Sequence, residues 1–156
     1  MATAIERFLE RAADLGLHPE IQTYPEGTRT AADAAAAIGC DVAQIVKSLV
    51  FVADDGRPVL VLTSGANRVD EARVAAALGA TELRKATADE VRAATGYAIG
   101  GTPPFGHDES LLTVVDPHLL DHAEVWAAAG TPTSVFPLTP ADLVRLTGAR
   151  TVEVAA

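Results

Sequence analysis

Cysteine is nearly missing from this chain: Cys40 is alone among 156 residues, so no disulfide framework can hold the fold. Long apolar runs are missing too. The longest alanine-rich stretch, Ala31 to Ile38, is interrupted by Asp33, and nothing approaches the roughly 18 residues that a membrane-spanning helix needs. Positive charge is scarce, with 12 Lys and Arg against 21 Asp and Glu and a formal net charge of −9. That balance excludes DNA and any broad adhesion to nucleic acid, which depends on lysines and arginines displacing counterions, so an RNA partner would have to be met locally. Nucleophile and nucleotide motifs are also lacking. There is no Gly-x-Ser-x-Gly elbow and no Gly-x-x-x-x-Gly-Lys-Ser/Thr phosphate loop, and His118-Leu119-Leu120-Asp121-His122 is not the His-Glu-x-x-His zinc pattern. Met1 to Leu15 mixes Glu6, Arg7, Glu10, Arg11 and Asp14 into an amphipathic pattern without a signal-peptide core, and the expected location is cytoplasmic.

What is present suits one domain over residues 1–156: 49% of the residues are hydrophobic, enough to bury a core without metal or disulfides. Helix starts are written clearly. Thr3 with Glu6 three places on opens a pattern of Ile5, Phe8, Leu9, Ala12 and Leu15 on one face, ended by Gly16. The same grammar recurs from Thr30 to Gly39, Asp70 to Gly79, Thr87 to Gly96 and Thr139-Pro140 to Gly148, which predicts five helices. Between them, Ile21–Tyr24, Ile45–Ala53, Pro58–Thr63, Leu111–Val115, Ser134–Phe136 and Thr151–Val154 read as strands, with Ala53 to Arg57 as a hairpin turn. Asp116 to Gly130 reads as a short turn and then a strand. Helices and strands do not alternate strictly, so the expected class is α+β with a mixed sheet.

Gly100-Gly101-Thr102-Pro103-Pro104-Phe105-Gly106-His107 cannot continue a helix or a strand and must form a stiff loop that bares main-chain N–H groups. Such a loop is either a preorganised ligand cradle or an ordinary connection. Lys47 lies within Ile45 to Val52, a strand apolar on both faces, where a lysine must snorkel to an edge, pair with a carboxylate, or meet an anion in a cleft. His107 adjoins the loop and can serve as an acid or base or brace the loop backbone. Lys85 lacks an apolar context and reads as a solvated charge. Cys40 reads as a small semi-buried residue, and His118 and His122 as surface histidines without a third metal ligand.

Taken together, Val42 to Phe51, Leu78-Gly79-Ala80 and Thr95 to Gly106 resemble the YbaK/EbsC family over most of the chain, from Ile21 to Val154. Members of that family are relatives of the editing insertion of prolyl-tRNA synthetase. The resemblance implies a mixed sheet curled around a cleft with flanking helices, and an aminoacyl-tRNA deacylase that removes cysteine or alanine from mischarged proline tRNA, with serine or threonine as further options. It implies no cofactor and no metal. Gly100, Gly101 and Lys47 would be catalytic, the loop polarising the ester carbonyl and the lysine holding phosphate or ribose at the tRNA acceptor end. Tyr24, Thr102, Pro103, Pro104 and His107 would bind substrate. Prolyl-tRNA synthetase or an elongation factor would be the delivering partner. Some relatives place an aspartate in the strand before the last helix, where this chain has Thr133, Ser134 and Val135, so the amino acid removed stays open. A module of the same fold that only holds a nucleotide or an RNA 3′ end would use the same groups.

Overall fold

A computed structural model of the chain describes residues 2–25, 28 and 30–156. All five expected helices form: α1 (Ala4–Asp14), α2 (Ala31–Ile38), α3 (Glu71–Ala77), α4 (Ala88–Thr95) and α5 (Pro140–Thr147). Each begins as its sequence dictates. The side chains of Thr3, Thr30, Asp70, Thr87 and Thr139 accept the N–H three residues on, and at α4 Glu90 returns the bond to complete a capping box. Among the described residues no helix is long and apolar enough to cross a membrane. The apolar face expected on α1 is narrower than its pattern suggests: Phe8 and Ala12 are buried, while Leu9 and Leu15 are 37% and 45% exposed. This is because α1 lies along one side of the glycine loop and meets it with a single stripe.

The strands are β1 (Gln22–Thr23), β2 (Ile45–Ala53), β3 (Pro58–Ser64), β4 (Leu83–Lys85), β5 (Leu112–Val115), β6 (Val125–Ala128), β7 (Ser134–Leu138) and β8 (Arg150–Thr151). They form one mixed sheet in the order β1-β7-β6-β2-β3-β5-β8, with β4 pairing β2 off this path. The β2–β3 hairpin is antiparallel, whereas β3–β5, β5–β8 and β2–β6 are parallel. Asp116 to Gly130 contains a 3-10 turn (Pro117–Asp121) followed by β6, as expected.

Two elements depart from expectation. β4 had no strand signature, since Arg84 and Lys85 are exposed and only Leu83 is buried. The strand expected at Thr151–Val154 is displaced: β8 is Arg150–Thr151, and Val152 and Val154 turn into the core beside Val59, Val61, Val74 and Val114.

Alternation along β2 and β3 separates two apolar layers. Val50, Leu60 and Leu62 face a core with Phe8, Phe105 and Phe136, while Phe51, Val59 and Val61 face the layer with Val74. The three phenylalanines pack with centroids 5.0 to 6.0 Å apart, a cluster in which each pair contributes about 0.5–1.5 kcal/mol beyond its buried area. They lie under the glycine loop and hold its far end by Phe105.

Candidate functional site

β2 pairs β3 along its whole length, yet its other edge is shared. β6 takes Ile45 and Val46, and β4 takes Phe51 to Ala53. Between these two partners no described strand pairs with the edge of β2, and the notch opens into a cleft of about 500 Å³, within the usual range for a small-molecule site. The Val50 carbonyl accepts the Ala86 N–H on this edge. Main-chain groups on a strand alternate in direction, so Ser48, two residues earlier, presents its N–H and C=O to the open notch. The Ser48 hydroxyl is also buried there, and among the described residues it has no hydrogen-bond partner.

Lys47 lines the same cleft. Its Nζ donates to the Asn67 main-chain carbonyl at 2.7 Å. Burial pushes its pKa below the ordinary lysine value, the nearby charges of Lys85 and Arg68 push the same way, and Asp116 works against them. Lys85 also borders the cleft, carried there by the pairing of β4 with β2, which sets it opposite Phe51. Lys47 and Lys85 are the only lysines in a chain of net charge −9, and both lie at this one cleft.

The loop divides between two sides. Gly100, with φ at +84°, and Thr102 face the cleft with Lys47. Gly101 closes a turn, its N–H donating to the Ala98 carbonyl at 3.0 Å, and the Thr102 hydroxyl donates to the same oxygen at 3.1 Å. A Cβ on Gly101 would stand 2.7 Å from the Thr131 Cα, so this glycine is required for close backbone packing. The implied use of its amide as a carbonyl-polarising donor is therefore corrected: the turn already consumes that N–H. Among the described residues the Gly100 and Thr102 N–H groups have no acceptor.

Pro103 is buried and does not border the cleft, and Pro104 and His107 border a second, polar cavity of about 460 Å³ behind the loop. His107 donates from Nε2 to the Pro103 carbonyl at 2.6 Å, and burial lowers its pKa. Of the two roles open to it, the structure supports bracing the loop, and His107 borders the rear cavity and not the cleft that Lys47 lines. α1 clamps the loop from that side: Arg7 donates to the Gly96 carbonyl at 2.9 Å and stacks over Tyr97, and Arg11 bridges the Gly106 carbonyl and Asp108. Tyr24 sits at the outer margin of the apolar wall that Trp126 and Val135 extend into the cleft, its hydroxyl donating to the Gln22 Oε1 at 2.5 Å.

Sequence reasoning placed Lys47, Gly100 and Thr102 at the site and missed Ser48, Lys85 and Asn67. Only the apolar context of β2 could have singled out Ser48, as a hydroxyl in a strand buried on both sides. Lys85 carried no local signal. His118 and His122 do not share a helix face, because the 3-10 turn has about three residues per turn, and among the described residues no three His, Cys, Asp or Glu side chains gather in a way that could hold a metal.

A mixed sheet notched along a central strand, with Lys47, Gly100 and Thr102 lining one cleft at the notch, defines a small α+β domain with a candidate ligand cleft. The chain belongs to the family described as the aminoacyl-tRNA editing domain, whose pattern matches residues 25–146. It is similar to a solved structure described as a candidate trans-editing enzyme for prolyl tRNA synthetase, with a TM-score of 0.93, 43% identity and coverage of 100% of this chain and 99% of that one. It is also 35% identical to the proline--tRNA ligase of Limosilactobacillus fermentum over 60% of this chain, and spans 17% of that longer enzyme. A third relative, the protein YwhH of Bacillus subtilis, is 28% identical over 80% of this chain and 78% of its own length.

Proposed function

We propose that this chain is a trans-acting aminoacyl-tRNA deacylase that hydrolyses the ester of mischarged proline tRNA, with cysteine or alanine as the amino acid removed. The observation that carries the reading is the meeting of Lys47 with Gly100 and Thr102 in one cleft of about 500 Å³. An aminoacyl ester is already labile and needs positioning and carbonyl polarisation more than a strong nucleophile. The N–H groups of Gly100 and Thr102 polarise the ester carbonyl. Lys47 holds the terminal phosphate or ribose of the acceptor end, and Lys85 on the rim meets the neighbouring phosphate. Water, hydrogen-bonded to the neighbouring ribose hydroxyl, attacks the carbonyl carbon; the oxyanion collapses, the C–O ester bond breaks, the amino acid leaves as its carboxylic acid and the ribose oxygen takes the proton that the water gives up.

The apolar wall of Ile45, Trp126 and Val135 favours a small side chain and sorts substrates by size, at about 1–3 kcal/mol per methylene. Two lysines focused at one cleft of an acidic protein answer the charge problem: the acceptor end is gripped locally while the rest of the surface repels nucleic acid. Prolyl-tRNA synthetase or an elongation factor then delivers the tRNA, in the cytoplasm, and no cofactor takes part.

The test mixes purified protein with tRNAs charged with Cys, Ala, Ser, Thr and Pro and follows loss of the ester, with Lys47→Ala as control. Release of Cys or Ala above the spontaneous rate, strongly lowered by Lys47→Ala, supports the reading. Absence of ester loss for every member, with acceptor-end RNA still bound, assigns the chain as a binding module.

A further inference from the structure

Nothing on β2 itself holds the Lys47 ammonium; the Asn67 carbonyl, in the turn after β3, does so at 2.7 Å. That turn is pinned from beneath by Asp116, which follows β5 and is 1% exposed. Its Oδ2 accepts from Asn67 Nδ2 at 2.8 Å, from the Ser64 N–H at 3.0 Å and from the Thr63 hydroxyl at 3.2 Å, and its Oδ1 accepts the His118 N–H at 2.9 Å. The Asn67 amide also donates to His118 Nδ1 at 2.7 Å. Burial pushes the Asp116 carboxyl up, and the four hydrogen bonds outweigh it and leave the group below the ordinary carboxylate value. A buried carboxylate is thus kept ionised one residue away from the ammonium at the cleft.

We propose that Asp116 and Asn67 are positioning residues for Lys47: Asp116 clamps the turn through the Asn67 side chain, and the Asn67 carbonyl holds the ammonium at the cleft wall. The kinetic part of this inference rests on the deacylase reading, whereas the anchoring is a property of the protein alone. The Asp116 bonds to Ser64, Thr63 and the His118 N–H that opens the 3-10 turn are local to β3 and that turn, and the fourth reaches the Asn67 side chain. The contact to Asn67 carries its influence to Lys47, which lines the cleft with Gly100. Lys85 and Arg68 oppose the charge on Lys47, and Asp116 is the acidic group that favours it.

The chain has two lysines, so a protein labelled with ¹³C-lysine gives two Cε signals, assigned by Lys47→Arg. Titrating wild type, Asp116→Asn and Asn67→Ala reads the anchoring directly. The Lys47 midpoint moves down in Asp116→Asn while that of Lys85 stays, and in Asn67→Ala the Lys47 signal moves towards that of a free side chain. In deacylation, Asn67→Ala lowers kcat roughly tenfold with little change in KM, and adding it to Lys47→Ala produces no further loss, as expected of residues that act through one group. Unaltered Lys47 signals in both variants, or losses that multiply in the double variant, overturn the proposal. If Asp116→Asn fails to fold, Asn67→Ala on its partly exposed turn decides the matter. Shifted lysine signals with no ester hydrolysed in any variant or wild type leave the anchoring standing and remove the deacylase reading.

Discussion

The Gly101 N–H donates to the Ala98 carbonyl at 3.0 Å, so the second glycine of the pair closes a turn while the first faces the cleft. Two adjacent glycines that look equivalent in sequence therefore have separate duties, and substitutions separate them.

Gly101→Ala puts a Cβ 2.7 and 2.8 Å from the Thr131 backbone, which has no flexible end to yield. The expected cost is about 3 kcal/mol, at the upper end of overpacking. Gly100→Ala meets only Pro132 at 3.9 Å but must hold φ at +84°, a strain of about 1 kcal/mol. Thermal unfolding should therefore show the larger fall in Tm for Gly101→Ala. Single-turnover deacylation at a temperature where both are folded should show a loss of about 10² for Gly100→Ala, whose strained backbone turns its free N–H away from the ester carbonyl.

Lys47 and Lys85 share the cleft, but among the described residues only Lys47 is tied to its wall. Lys85→Ala is expected to raise KM with kcat nearly unchanged, and to reduce the slope of log affinity against log salt by about 0.7 for one lost single-strand phosphate contact. Lys47→Ala is expected to lower kcat as well. Deacylation measured across a salt series distinguishes them.

Ser48 carries a buried hydroxyl with no partner among the described residues, at an open strand edge. Removing an unsatisfied group relieves its desolvation cost, so Ser48→Ala should leave Tm unchanged or raise it. The same substitution should lower kcat/KM by roughly tenfold, about 1.4 kcal/mol, if the hydroxyl bonds the bound ester terminus. Opposite signs in the two measurements mark a group that serves ligand and not fold.

His107 is held neutral, because burial lowers its pKa despite the bond to Pro103 that favours the charged form. The unfolded chain takes up its proton first, near the ordinary value of about 6.5, so stability is full above that pH. It is lost as the pH falls from there through the lower folded value. Urea midpoints from pH 7.5 to 5 should decline in wild type and decline less in His107→Asn, whose amide can still donate to the Pro103 carbonyl.

Much of the architecture was legible because its causes are local. Thr87 and Glu90 form their capping box within four residues, and the apolar run of β2 with the turn at Ala53 to Arg57 announces a hairpin whatever surrounds it. β4 was not legible: Leu83-Arg84-Lys85 is a strand only because the edge of β2 offers partners to it. The displaced end of the chain is similar, since Val152 and Val154 look like alternate positions of a strand until the layer beside Val74 claims both.

The site divides along the same line. From the residues alone came the caps, the buried strand with a lysine in it and a glycine turn too stiff for helix or sheet, because steric limits and hydrogen bonds between near neighbours act in any context. Tertiary packing decided which glycine amide stays free, that His107 turns to the rear cavity, that Lys85 reaches the cleft, and that Asp116 grips Asn67 from 49 positions away. Those outcomes depend on which strand edges meet and which carbonyls are already taken, and such long-range competition leaves no mark on any short stretch of the chain.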